Sequence, residues 1–328
     1  MNILGIFSSD YREIYKADVY KSLSLPKDYI IHFRYKPKYI DPYLFSNLDQ
    51  LKGKYGCIFF VPNYSEERSD LEYISIRDIK VANCIYSENT DVVHLYLLLS
   101  EYCNYEINNI VPKEKLPPKI FVSEIEIIEH SDNNNWKGRI EAVNKYFSGY
   151  SFININNISQ NETIIIPSIV NNGKNTCYDL LQGNDYRINI SFANPNNVEC
   201  KIGIIESQLE MSLFGDKPIY SNVQYDDLDY GLSIKNLQIM KQHSMINIVP
   251  IILEKEKLEY SQNIDMDLNL DPQNSLLFAL LTLLAVIAYL IIAPASESTI
   301  IHPWWQYVIS LSLLFFSSAT LFFIYNKK

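Results

Sequence analysis

The sequence predicts a β-rich α+β region, made of a small α+β domain followed by a β-sandwich, with a two-helix transmembrane hairpin at its C-terminal end. Three observations lead there. Segments rich in β-branched residues recur along most of the chain, separated by Asn-, Gly- and Ser-rich turns. A stretch with three prolines, Val111 to Lys119 (VPKEKLPPK), interrupts them, since proline lacks the donor that a sheet interior needs. Two uncharged apolar runs then close the chain, Ser275 to Ala293 and Trp304 to Tyr325.

Ile3 to Phe7 reads as a short buried strand. Ser8 or Ser9 is expected to cap a following helix that runs to about Ser22, with Asp10 and Glu13 in its first turn. From Tyr29 to Tyr39 (YIIHFRYKPKY), Ile31, Phe33 and Tyr35 alternate with His32, Arg34 and Lys36, the period of two of a half-buried strand. Cys57 to Tyr64, Tyr73 to Ser87 and Asp91 to Tyr105 have strand composition, with SENTD as the turn between the last two; a helix is the other reading of the third. Residues 1–111 thus form one α+β domain, and 112–119 form its linker. Beyond it, KIFVSEIEIIE, ETIIIPSIV, YRINISFAN, ECKIGIIES and MINIVPIILE alternate as strands, with SDNNN, NNGKN and NPNN as turns, so residues 120–258 read as the β-sandwich. Residues 259–274 (EYSQNIDMDLNLDPQN) form an acidic juxtamembrane linker carrying Glu259, Asp265, Asp267 and Asp271.

Each closing run, 275–293 and 304–325, is about as long as the ~20 apolar residues that cross a bilayer core. Tyr289, Trp304, Trp305 and Tyr307 suit an aromatic belt, and Lys327 and Lys328 follow the second run. The connection from Pro294 to Pro303 is short, which makes the pair antiparallel. Met1 to Ser9 lacks the basic region of an export signal. The expected location is therefore the cell inner membrane, multi-pass, with the N-terminal domains and the C-terminus cytoplasmic. In the second run Ser310, Ser317, Ser318 and Thr320 fall within about half the helix circumference. Pore lining and helix packing both explain that arc.

Charge is uneven. The 328 residues carry a formal net charge of −10, yet residues 1–60 hold nine basic and six acidic side chains, a net of +3. A basic end on an acidic protein points to an anionic contact. The strongest candidates are His32, Arg34, Lys36 and Lys38, with Arg34 able to grip a phosphate bidentately and Tyr35 or Tyr39 to stack on a base. The plainer reading is a charged solvent face that protects an edge strand. Cys57, Cys84, Cys103, Cys177 and Cys200 are scattered without CxxC spacing, so neither disulfides nor a structural zinc is expected. No phosphate-loop, GxGxxG, GxSxG or HExxH pattern occurs. These absences predict no catalytic residues, no cofactor and no enzymatic activity.

A module without a catalytic motif ahead of a two-helix hairpin, residues 275–325, resembles the two-helix transmembrane effectors of bacterial anti-phage defence systems. It looks most like the Hailong type, in which an oligonucleotide controls a multimeric channel. The resemblance implies a ligand- or partner-sensing region that controls an oligomeric pore, an ion channel in antiviral defence. Its partners would be the lipid bilayer, further copies of the chain, and a nucleotide or oligonucleotide signal or the protein that makes it. The alternative is a membrane-anchored binding or adaptor protein whose hairpin only tethers it.

Overall fold

The chain opens on a strand buried on both faces. In the computed structural model, β1 (Asn2–Ser9) is buried from Ile3 onward, because it runs inside a sheet rather than at its edge. The structure describes residues 1–63, 71–110, 122–197, 200–206, 211–214, 219–220, 225–234, 242–252, 262–272 and 284. Two compact units divide the chain. The first comprises Met1–Tyr178, Asp185–Ser233 and Ser244–Leu268; the second takes in Asp179–Asn184, Ile234–His243 and the chain from Asn269. Within the second, the Gln182 N–H donates to the Asp271 carbonyl (2.9 Å) and Asn269 Nδ2 to Asp179 Oδ1 (2.8 Å).

Seven strands make the first sheet: β1, β2 (Ile30–Tyr35), β3 (Tyr55–Val61), β4 (Ile74–Ser87), β5 (Val92–Tyr102), β6 (Tyr105–Ile110) and β7 (Val122–Glu129). Their order is β2-β5-β4-β3-β1-β7-β6, and β1 runs parallel to β3 and antiparallel to β7. The segment Asp91 to Tyr105 is a strand, not a helix; alternate residues Val93, Leu95, Leu97 and Leu99 are fully buried. The turn before it ends on Asp91 in a left-handed conformation (φ 51°). Gly56 is required where β3 meets β1: a Cβ there would lie 2.3 Å from the Leu4 carbonyl oxygen. β7, from beyond the proline-rich stretch, joins this sheet beside β1 instead of starting a separate one.

Helix α1 (Glu13–Ser24) packs against β1 and β4 with Val19, Tyr20 and Leu23 buried. Its buried C-terminal carbonyls need donors, since the last turn of a helix leaves them without intrahelical partners. Three side chains supply them. Arg77 of β4, 3% exposed, donates through Nη1 to Ser22 (3.2 Å) and Leu25 and through Nε to Ser100 (2.7 Å). The Leu23 carbonyl accepts from Tyr102 Oη at 2.8 Å and from Trp136 Nε1 at 3.0 Å. Trp136 opens α3 (Trp136–Val143), while α2 (Pro42–Ser46) is a short turn capped by Asp41. The serine caps expected for α1 are absent. Ser9 Oγ accepts from the Tyr11 N–H, Ser8 Oγ donates to the Tyr15 carbonyl, and Arg12 stands at the N-cap with no side-chain hydrogen bond.

The remaining strands are β8 (Phe152–Gln160), β9 (Thr163–Ile165), β10 (Ser168–Val170), β11 (Asn175–Leu181), β12 (Asp185–Ala193), β13 (Cys200–Glu206), β14 (Met211–Phe214), β15 (Ile219–Tyr220), β16 (Tyr225–Ile234), β17 (Gln242–Ile252) and β18 (Ile264–Asp271). Among the described residues they form a five-stranded sheet, β14-β16-β12-β8-β9, and a six-stranded sheet, β10-β11-β18-β17-β13-β15. The asparagine turns carry the left-handed residues Asn171, Asn172 and Asn197. The acidic stretch holds a strand. In β18, Ile264, Met266, Leu268 and Leu270 are fully buried between Asp265, Asp267, Asn269 and Asp271, an alternation that its acidic character masks in the sequence.

The expected fold class needs correction. Its described part is β-rich with three sheets, and among the described residues no helix is long and apolar enough to cross a membrane. The longest, α1, has 12 residues. At 1.5 Å per residue a helix of that length spans about 18 Å, short of the ~30 Å of a bilayer core. The multi-pass inner-membrane location, the channel and the transmembrane hairpin therefore have no support among the described residues. The runs 275–293 and 304–325, with Ser310, Ser317, Ser318 and Thr320, lie outside the described residues, Leu284 excepted.

The capping of α1 gives a direct test. Arg77→Ala leaves the Ser22, Leu25 and Ser100 carbonyls without this donor at a cost of about 1–3 kcal/mol for each buried group left unpaired. We expect urea denaturation to show a loss of at least about 3 kcal/mol, and Arg77→Met, which keeps the apolar stem, to lose nearly as much.

Candidate ligand-binding cleft

Because α1 is held at its C-terminal end, its first turns are presented beside the end of β1 and the strand β2. Between them lies a cleft of about 320 Å³. Phe7, Ser8 and Ser9 of β1 line one side, Arg12, Ile14, Tyr15 and Asp18 a second, and Phe33, Arg34, Tyr35 and Lys36 a third, with Tyr11, Tyr39 and Val92 completing it. Three consecutive residues of β2 and Lys36 just beyond it reach the cleft, and β2 is the terminal strand of its sheet. Tyr35 is buried and donates from Oη to the Phe7 carbonyl at 3.1 Å, which joins β2 to β1 beneath the cleft.

The basic strand thus divides. Arg34 and Lys36 line the cleft; His32 and Lys38 do not. His32 stacks on Tyr96 (4.7 Å between ring centroids), and its Nε2 lies 2.9 Å from His94 Nδ1. Partial burial, then His94 and Arg34, push the His32 pKa down to about 4, so it carries no charge at neutral pH. Lys38 sits over its neighbour Tyr39, with Nζ 4.8 Å from the ring centroid. Lys36 Nζ donates to the Thr90 carbonyl at 3.0 Å and lies 4.0 Å from Asp91. Ser310, Ser317, Ser318 and Thr320 contribute nothing here, being outside the described residues.

What the sequence reading missed is Arg12. Its guanidinium lies 6.0 Å and 5.8 Å from the ring centroids of Tyr11 and Tyr15. Among the described residues neither Arg12 nor Arg34 forms a salt bridge, so two guanidinium groups face the cleft without an ionic partner. Arg12 also stands at the uncapped N-terminus of α1, where the free N–H groups and the helix dipole favour negative charge. Its only sequence signal was position, between a strand and a helix.

Asp18 is the acidic exception. Burial disfavours its charged form more than Lys21 and Arg34 favour it, and its pKa is pushed up to about 7. Near neutral pH it is therefore half protonated and weakens the positive field only in part. The rings of Tyr11, Tyr15 and Tyr39 line it, and aromatic rings are the groups on which a flat heterocycle stacks.

No protein-family model matches this chain. Curated sequences return no match either. Among solved structures, tripeptidyl peptidase 2 is 13% identical with a TM-score of 0.23, covering 43% of this chain and 12% of its own. The VesC and VesB proteases of Vibrio cholerae are 12% and 10% identical with TM-scores of 0.20 and 0.19; each covers 62% of this chain, and 57% and 78% of its own. Likenesses this weak carry no argument about activity. The chain spans only a small part of tripeptidyl peptidase 2 and less than two thirds of VesC.

Asp18 generates a pH prediction. Its folded pKa, about 7, lies above the ordinary 3.8, so the folded state binds more protons than the unfolded state between those values. Stability therefore falls as pH rises from about 4 to 7 and is level above that. We expect Asp18→Asn to flatten this slope, with a gain in melting temperature at pH 8 that shrinks towards pH 4.

Proposed function

We propose that this chain is a binding module that senses a phosphorylated ligand carrying a flat ring, a nucleotide or short oligonucleotide, in the cleft between α1, β1 and β2. The carrying observation is the convergence of Arg12 and Arg34, neither in a salt bridge among the described residues, on one small cleft walled by tyrosines. In this role the guanidinium groups and Lys36 hold phosphate oxygens, the N–H groups of the first α1 turn add to them, and Tyr11, Tyr15 or Tyr39 stacks on the ring. Half-protonated Asp18 hydrogen bonds a polar edge of the ligand. The volume, about 320 Å³, suits a ligand of mononucleotide size or the end of a longer one. This is recognition without turnover, and a protein that makes the nucleotide signal is the partner it implies. Of the resemblance to defence effectors, only the sensing of a nucleotide signal enters this reading.

The test is titration of the whole chain with ATP, with short oligoadenylates and with inorganic phosphate, followed by calorimetry and melting temperature. Charge-assisted hydrogen bonds contribute about 1.5–3 kcal/mol each, so Arg34→Ala and Arg12→Ala should each weaken nucleotide binding at least ~10-fold. Binding should weaken further with added salt, and Lys38→Ala should leave it unchanged. Absence of any shift with all three ligands, or an Arg34→Ala protein that binds as the parent does, would sink the proposal.

A further inference from the structure

Away from the cleft, two thiols and a carboxylate meet inside the first sheet. Cys57 of β3 stands directly opposite Asp78 of β4 in the antiparallel ladder, and opposed residues share a face. Cys103, between β5 and β6, brings its Sγ to 3.3 Å from Cys57 Sγ. Both sulfurs and an Asp78 oxygen lie within 4.8 Å of one another. The cysteines are 0% and 3% exposed, so this is a built interior site and not a surface cluster.

The surroundings fit a cation. In a tetrahedral site with metal–sulfur bonds of ~2.3 Å, two sulfurs stand roughly 3.8 Å apart, so a small outward movement of the thiols admits an ion. Tyr105 Oη donates to Asp78 Oδ2 at 2.9 Å and orients the carboxylate, as outer partners of metal ligands do. Arg139 is buried and fixed by the Asn133 and Ser75 carbonyls (3.0 Å each). Two thiolates and one carboxylate on a divalent ion leave a single negative charge, which Arg139 balances. Asp78 and Tyr105 also line a surface depression of about 280 Å³ with Met1, Ile3, Gly56 and Lys80, so the carboxylate side of the site is reached from outside.

We propose that Cys57, Cys103 and Asp78 bind one thiophilic divalent cation of the zinc class, with water as the fourth ligand. Each thiol gives its proton to solvent as its sulfur takes the ion. Mixed sulfur and carboxylate donors suit zinc better than the all-oxygen cations magnesium or calcium. The site is independent of the cleft and of its proposed ligand. Sequence spacing hid it, because Cys57 lies on β3 and Cys103 in the turn from β5 to β6, which the sheet brings together.

The experiment is titration of the reduced, full-length protein with Co²⁺. We expect one ion per chain, a thiolate-to-cobalt charge-transfer band with the strong visible bands of a four-coordinate ion, and loss of both on adding Zn²⁺. Cys103→Ser should remove most of the charge-transfer band, and Cys84→Ser should leave it intact. Tyr105→Phe, which deletes only the outer hydrogen bond, should weaken Zn²⁺ binding about 10- to 100-fold while the protein stays folded. Absence of the band in the parent protein would overturn the site, with no variant needed. A band that persists in folded Cys103→Ser, or a Cys57–Cys103 disulfide that forms in air whether or not Zn²⁺ is present, would also overturn it.

Discussion

A helix C-terminus buried against a sheet is the constraint on which the first unit depends. The carbonyls of Ser22, Leu23 and Leu25 cannot reach water where they lie, and each unpaired one would cost about 1–3 kcal/mol. Arg77, Tyr102 and Trp136 satisfy them from β4, β5 and α3. That one cluster therefore locks the helix to two strands and to a second helix. Because α1 is rigid and short, fixing its last turn also fixes where its first turn points, and the cleft is built at that far end.

The cleft shows how a chain of net charge −10 can still present a positive site. Arg12 and Arg34 come from different elements and meet no salt-bridge partner among the described residues, while Lys36 is partly answered by Asp91. The single carboxyl among them, Asp18, is desolvated enough that burial outweighs the attraction of Lys21 and Arg34. The local field is set by which charges are left unanswered, and overall composition points the other way.

The same sheet carries two kinds of polar chemistry through one rule. Alternation along β3 sends Cys57 and Phe59 to one face and Ile58 and Phe60 to the other. On the first face Cys57 joins Ile3, Phe7, Ile125 and Ile127 in a buried cluster. Beside it, Tyr105 donates to Asp78, and Arg139 donates to backbone carbonyls.

Much of the strand pattern was legible in the sequence, because period-two alternation and asparagine turns are local consequences of backbone geometry. β2 was read with Ile31, Phe33 and Tyr35 inward, and SENTD, NNGKN and NPNN were read as turns. Where the local signal misleads, it does so for a physical reason: the acids of β18 look like a solvated linker because its buried residues are only every second one. The apolar runs after residue 274 read as membrane helices because length and charge were the whole signal. Of the cleft, Arg34, Tyr35, Lys36 and Tyr39 were visible. Arg12 was not, nor the meeting of Cys57 with Cys103, since both require strand order. The sequence by itself determined which residues alternate and where the chain turns. Only the tertiary structure decided which charges and thiols meet, because distant segments are brought together by sheet order and by the capping of α1, and no local period encodes either.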